Sequence, residues 1–294
     1  MKMAKYKPAL KKSLLAFALV FAVLFVTASV FARTDISAIT LIHTNDTHGN
    51  LQNAWENGSV PAEVIRKMKK EADSKSAGNY TLMLDAGDIT SYKTPSFANV
   101  EKDIFLMGSL GYDAMALGNH EIDFGLDEFV ELSRKVAFPV LCANLIRKDS
   151  GKYAFSPSLI KDFGGVRIAI IGLTHKIIME NMKEEDRAKV NYLETEEAYK
   201  KAYSEVKDKS DIIVLLSHLG VEGDRELAKT HPEIKLIVGA HSHTLIDKPE
   251  MAGKTCIVQA GRFCENIGKL DVKITGREIK SIEGGVINIR PPKQ

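Results

Sequence analysis

The chain has 294 residues, with 40 Lys and Arg against 38 Asp and Glu and a formal net charge of +2. Five of the lysines and none of the acids lie in residues 1–32, which leaves 35 basic and 38 acidic groups, net −3, in the remainder. A body with that balance excludes a global basic field for nucleic-acid polymers, and three irregularly spaced cysteines, Cys142, Cys256 and Cys264, do not make a disulfide framework.

The first element in chain order is a basic head, Lys2, Lys5, Lys7, Lys11 and Lys12, followed by an uncharged run over residues 13–32 that ends in Thr-Ala-Ser-Val-Phe-Ala. This pattern predicts a secretory signal peptide over residues 1–32, with small residues at the cleavage positions. The alternative is an uncleaved anchor, since a run of this length also spans a bilayer. No Lys/Arg cluster stops the run, which favours cleavage, and no cysteine near its end offers a lipid attachment point. Export to the periplasm or the exterior is expected, with membrane contact only if the segment stays on. Residues 33–294 then read as one large α/β domain.

Within that domain short apolar runs predict strands at 38–43, 81–84, 114–117, 140–143, 166–172, 211–217, 236–239, 256–259 and 270–274. Amphipathic stretches between them predict helices near 60–73, 97–110, 126–136, 194–208 and 222–230. Alternation of this kind implies apolar strands covered by helices on their faces. Ligand sites in such folds gather beyond strand ends, so the loops that follow the strands carry the information. Cys256 and Cys264 can pair only if their strands lie side by side; otherwise all three cysteines read as small buried hydrophobes.

The first strand runs into Asn45-Asp46-Thr-His48, the second into Asp85-Ala-Gly87-Asp88, and the third into Gly118-Asn119-His120-Glu121-Ile-Asp123. A later strand ends at His218, and "LIVGAHSHT" places His241 and His243 two residues apart, on one side of an extended segment. Singly, each piece has an ordinary explanation: Asn, Asp and Gly make turns, and a lone histidine is more often hydrogen-bonded than a ligand. Turn chemistry does not explain why five of eight histidines stand at the ends of apolar strands. The other three are expected elsewhere: His43 in the core, His231 on a surface loop, and His175 in a loop without an assigned role.

The chemistry that fits is a pair of divalent cations roughly 3.5–4 Å apart, sharing one carboxylate, activating a hydroxide and clamping phosphoryl oxygens. Asp, Asn and His without thiolate suit zinc, manganese, iron or cobalt better than calcium or magnesium. Other catalytic schemes lack their signatures, with no Gly-x-Ser-x-Gly, Gly-x-x-x-x-Gly-Lys, Gly-x-Gly-x-x-Gly, Cys-x-x-Cys or His-Glu-x-x-His in the chain.

The ordered set D-x-H, GD, GNHE-x-D, H and G-x-H-x-H resembles the calcineurin-like metallophosphoesterase superfamily. The wording "LIHTNDTHGNL", "LDAGD", "LGNHEID" and "GAHSH" is similar to the catalytic domain of secreted 5′-nucleotidases, which include bacterial periplasmic enzymes with UDP-sugar hydrolase and 2′,3′-cyclic phosphodiesterase activity. The resemblance implies a four-layer α/β/β/α sandwich and a dinuclear phosphoesterase. It implies that Asp46, His48, Asp88 and His243 bind one metal and that Asp88, Asn119, His218 and His241 bind the other, with Asp88 bridging. His120, oriented by Asp123, would stabilise the transferring phosphoryl group and help protonate the leaving oxygen, and Asn119 and His120 would touch the phosphate.

One departure from the family follows. Only 51 residues come after His243, too few for the second domain that stacks the base and supplies arginines. The expected substrate is a small phosphate ester, in first place a nucleotide. The alternatives are a non-nucleotide ester, or a catalytic half served by a separate substrate-binding chain. A non-catalytic binding protein would predict losses at Asp88, Asn119 or His120, and none is seen. Trp55 and Tyr92 are candidate stacking rings, although the favoured reading of Trp55 is a surface-loop residue or one packed on the following helix.

Overall fold

The computed structural model describes residues 38–55, 58–75, 78–91 and 96–290. The signal-peptide reading and Tyr92 lie outside the described residues. In chain order the elements are β1 (Ala38–Thr44), α1 (Pro61–Asp73), β2 (Asn79–Asp85), α2 (Phe97–Leu110), β3 (Ala114–Ala116), α3 (Leu126–Ser133), β4 (Val140–Leu141), β5 (Leu145–Arg147), β6 (Ser158–Phe163) and β7 (Val166–Thr174). There follow α4 (Ile178–Asn181), α5 (Glu184–Arg187), β8 (Val190–Tyr192), α6 (Thr195–Val206), β9 (Ile212–His218), α7 (Val221–Thr230), β10 (Ile234–Val238), β11 (Glu250–Ala252), β12 (Thr255–Val258), β13 (Asn266–Thr275) and β14 (Glu278–Asn288).

Two six-stranded sheets form, ordered β14-β13-β1-β2-β3-β4 and β11-β12-β10-β9-β7-β6, with β5 and β8 as a separate pair. The strands β1, β2, β3 and β4 run parallel, as do β7, β9, β10 and β12. Period-2 alternation decides which core each side chain enters. Ile39 and Leu41 of β1 join Ile212, Val214 and Leu216 of β9 in one buried cluster between the sheets. Ile42 faces the other way, onto Ile65 of α1, Ile104 of α2 and Phe129 of α3. Ile213 and Leu215 of β9 turn from the inter-sheet core toward Ala198, Tyr199 and Ala202 of α6 and Leu227 of α7. Three apolar cores thus separate four layers, which is the expected α/β/β/α sandwich. Among the described residues no helix is long and apolar enough to cross a membrane.

The five expected helices and nine expected strands are all present, with ends shifted by a few residues. The edge and accessory strands β5, β6, β8, β11 and β14 are additional. Cys142, Cys256 and Cys264 are buried and free, with Cys256 in the inter-sheet core and Cys264 in the core against α1 to α3, so they serve as small apolar residues. His43 is a core histidine, as expected, and burial lowers its pKa to about 4. His231 corrects the surface-loop expectation. It is buried, its ring lies 4.4 Å from that of Tyr199, and it contacts Glu196 at 2.9 Å and Glu233 at 3.1 Å. Helix α6, some thirty residues upstream, covers the loop.

At the end of β2, Asp85 is fully buried, accepting from Thr44 Oγ1 at 2.6 Å and from the Gly87 N–H at 2.8 Å. Burial, with Glu121 and Asp46 adding repulsion, raises its pKa to about 8. The folded state therefore holds this proton more tightly than the unfolded chain does, so the contribution of Asp85 to stability is greatest at low pH and is lost between about pH 4 and pH 8. The whole loss amounts to about 6 kcal/mol at most, at 1.36 kcal/mol per pKa unit. Asp85→Asn, which resembles the protonated acid, is expected to flatten that decline. Urea midpoints at pH 5 and pH 8 check this, and an unchanged slope in the variant would assign the pH dependence to other groups.

Candidate metal centre

Five strands deliver the residues singled out in the sequence, three from one sheet and two from the other. Asp46 and His48 follow β1, Asp88 follows β2, and Asn119 and His120 follow β3. His218 ends β9, and His241 and His243 follow β10. All five are carboxyl ends of parallel strands, the positions where α/β sheets place their ligands.

The backbone at these points is unusual. Seven described non-glycine residues have positive φ, and five of them are Asp46, His48, Asp88, His241 and His243, at 48°, 45°, 60°, 72° and 56°. Asp and His tolerate this region better than most residues, yet each instance costs on the order of 1–3 kcal/mol. Local hydrogen bonds hold it in place. The N–H groups of Asp46, His48 and Gly49 donate to the carbonyls of Gly87, Asp88 and Ile89 at 2.9, 3.0 and 2.8 Å, zipping the first loop onto the second. Gly87 and Gly118 permit the approach, because a Cβ on Gly87 would lie 2.7 Å from the Gly118 nitrogen and one on Gly118 would lie 2.3 Å from that of Asp88.

Ligand-type atoms converge in two overlapping groups. In each of Asp46, His48, His243 and Asp46, Asp88, His218, the candidate atoms all lie within 4.8 Å of one another. His48 Nε2 is 3.2 Å from His243 Nε2, and His243 Nε2 is 3.5 Å from Asp46 Oδ1. His218 Nε2 is 3.2 Å from Asp88 Oδ2 and 3.3 Å from Asn119 Oδ1, which also lies 2.9 Å from His241 Nδ1. The structure brings together all seven residues expected to bind metal. Asp46 belongs to both groups, while the motif reading gives the shared position to Asp88.

The second ring nitrogens are already engaged. His48 Nδ1 lies 2.9 Å from the Thr90 carbonyl and His218 Nδ1 lies 2.7 Å from that of Ala86. A neutral ring donating from Nδ1 presents a bare lone pair at Nε2. At His218 that nitrogen faces a carboxylate oxygen and an amide oxygen, an arrangement that calls for either a proton or a cation between them. The electrostatics express the same need. Burial works against a charge on His218, but the Asp88 carboxylate overrides it and raises the pKa to about 10, while His218 holds Asp88 below the usual carboxylate range. Burial lowers the pKa of His241 to about 4 and also lowers that of His48, which keeps both imidazoles neutral and able to ligate.

His120 stands apart from the ligand atoms. Its Nδ1 lies 2.8 Å from Asp123 Oδ2, its backbone N–H donates to Asp88 Oδ1 at 3.0 Å, and the Asp123 hydrogen bond raises its pKa. The ring centroid is 5.8 Å from that of His48, facing the cluster. His175 also finds a place, its ring stacked 4.6 Å from that of His241.

Four residues contribute here in ways that the motifs do not signal. Glu121, fully buried, accepts from the N–H groups of Gly118, Asp88, Ile89 and Thr90 at 2.7, 3.0, 2.8 and 3.2 Å, fastening the second loop to the third. Burial and the neighbouring Asp88 push its pKa up to about 7. Asn45 donates to Asp46 Oδ2 and the Gly261 carbonyl, both at 2.7 Å, and accepts from Ala260 N–H at 2.8 Å, tying the two sheets together. Arg262 and Phe263 lie in the loop after β12, with Arg262 Nη1 3.2 Å from His243 Nδ1. That loop also follows a parallel strand, which was the available signal.

Carboxylates, imidazoles and an amide held at the strand ends of a two-sheet sandwich define a metal-dependent phosphoester hydrolase as the class. A profile for calcineurin-like phosphoesterases matches residues 39–245, and the chain belongs to that family. It is 30% identical over 289 residues to the 5′-nucleotidase of Vibrio cholerae, covering 87% of this chain and 52% of that protein. Among solved structures it is similar to a 5′-nucleotidase precursor from Thermus thermophilus, with a TM-score of 0.72, 30% identity, and 85% and 54% of the two chains covered. The calcineurin-like phosphoesterase YfkN from Bacillus subtilis shares the fold at a TM-score of 0.71 and 22% identity, over 86% and 91% of the chains. The chain spans about half the length of the curated relatives it matches.

Proposed function

We propose that residues 33–294 form an exported phosphoesterase domain that hydrolyses small phosphate esters, nucleotides above all, with two divalent cations of the zinc, manganese, iron or cobalt class. Asp46, His48, Asp88 and His243 would hold one, and Asp88, Asn119, His218 and His241 the other. The observation that carries this reading is the convergence of His218 Nε2, Asp88 Oδ2 and Asn119 Oδ1, with both oxygens within 3.3 Å of the imidazole nitrogen. A cation satisfies all three at once. When bound, such ions lower the pKa of water and draw charge from phosphoryl oxygens.

The protein's own groups do the rest. Asp123 fixes the His120 tautomer with the proton on Nδ1 and makes the ring more basic, so His120 Nε2 is suited to exchange a proton with the leaving oxygen. The Asn119 carboxamide is available beside it for the phosphate. Export rests on the basic head and uncharged run of residues 1–32.

The test is hydrolysis by the metal-stripped protein after adding back manganese, zinc or cobalt. The substrates are a chromogenic mono-ester and bis-ester, AMP, a 2′,3′-cyclic nucleotide and a UDP-sugar. The expected result is no turnover without metal, restored turnover with at least one of the three ions, and about two equivalents bound per chain. Two bound ions without cleavage of any ester would sink the catalytic reading.

A further inference from the structure

Between His48 and Trp55 the surface folds into a cavity of about 410 Å³, lined among others by Asn50, Arg262, Phe263 and Arg290. Its volume falls in the range of small-molecule sites. One wall is strained. Phe263 and Cys264 both have left-handed φ, 59° and 53°, which is costly for an aromatic residue. The Asp46 carbonyl holds this turn by accepting from the Phe263 N–H at 2.7 Å. The turn places the Phe263 ring 5.6 Å from the His48 ring and 6.2 Å from the His243 ring, with the Arg262 guanidinium 4.8 Å over it.

On the opposite wall Trp55 donates its Nε1–H to the Cys264 carbonyl at 3.3 Å and carries the Arg290 guanidinium 5.0 Å from its ring centre. Glu265 neutralises Arg290. Arg262 has no carboxylate partner among the described residues; its polar contact is His243 Nδ1, at 3.2 Å. A histidine that ligates a cation through Nε2 keeps its proton on Nδ1. In the loaded protein that nitrogen would not accept, which leaves the exposed guanidinium facing water or an anionic acceptor in the cavity.

We propose that this cavity is a leaving-group subsite for phosphate esters whose leaving group bears a second anion, a phosphate or a carboxylate, and that Arg262 binds that anion. The substrate assignment rests on the phosphoesterase reading above. A planar, permanently charged guanidinium is the side chain best matched to either oxyanion. The strained turn and the Phe263 ring fix its direction, and Arg290, already paired, adds no competing demand. Arg262 is a specificity-determining residue here, outside the chemistry of the ester bond.

Trp55 is the only tryptophan in the chain, so its emission reports occupancy of this cavity without any turnover. The metal-loaded full chain and its Arg262→Ala and Arg262→Lys variants are titrated with methylphosphonate, methylenediphosphonate and phosphonoacetate, none of which is an ester. For the wild type, a second anion is expected to tighten binding by about ten- to hundredfold and to shift Trp55 emission, the scale of a charge-assisted hydrogen bond. Arg262→Ala should erase most of that advantage and Arg262→Lys should keep part of it. Whichever of the diphosphonate and the phosphonoacetate gains more identifies the preferred second anion. An advantage that survives intact in Arg262→Ala, or an equal loss on all three ligands, would overturn the proposal. In parallel, the ratio of kcat/KM between an ester with a phosphorylated leaving group and p-nitrophenyl phosphate should fall about tenfold or more in Arg262→Ala. If no ester is cleaved but the binding advantage appears and depends on Arg262, the subsite stands and the hydrolytic reading fails; the reverse pattern separates the two the other way.

Discussion

Asp88→Asn is expected to lower metal-dependent kcat/KM by more than about 10³-fold, beyond the 10–100-fold scale of residues that merely support a ligand, while the fold survives. Asparagine has the same shape, tolerates the φ of 60° found at this position, and can still accept the His120 N–H now bound to Oδ1 at 3.0 Å. What disappears is the negative charge 3.2 Å from His218 Nε2. Elemental analysis decides whether the carboxylate is shared: loss of both ions in Asp88→Asn supports bridging by Asp88. Asp46→Asn is the necessary comparison, because Asp46 is the acid common to both groups of ligand atoms. Rates equal to wild type in Asp88→Asn would remove Asp88 from the centre.

His120→Ala should reduce turnover by about 10²–10⁴-fold, the usual contribution of a positioned acid or base, with metal content unchanged. His120 bonds to Asp88 through its backbone N–H, and its Nδ1 is committed to Asp123 at 2.8 Å, so removing the side chain empties no ligand position. Asp123→Asn would leave the ring present but poorly oriented, and should fall between the wild type and His120→Ala. The alkaline limb of the pH–rate profile should also move to lower pH, because the Asp123 hydrogen bond is the largest influence raising the His120 pKa and His120 must carry its proton to act on the leaving oxygen. Loss of metal in His120→Ala would make it a ligand instead.

The central strands were legible because both their faces are buried, and runs such as Ile212–His218 are apolar almost throughout. The edge strands were not. Ser158–Phe163 and Glu278–Asn288 are largely half-exposed or exposed, and the latter carries two adjacent glycines. With one face wet and no partner beyond, neither needs an apolar pattern. The ligand-type residues were legible because a polar group is conspicuous at the end of an apolar run. Glu121 and Asn45 were not, since their work is to accept or donate to backbone groups of loops far away in the chain, which leaves no local periodicity. His231 was misplaced for a related reason: nothing in its neighbourhood announces that helix Thr195–Val206 lies across it.

The centre draws its parts from positions 46 to 243 and from both sheets, and Asn45 is one of the clasps between them. No fragment of either sheet contains a complete set. Contacts of such sequence separation require loop closure before they can form, so the acidic and imidazole groups come together only as the two sheets dock. Cation capture would then follow docking of the sheets. A divalent ion added during refolding would act as a latch, slowing the reopening of the sandwich without hastening its closure.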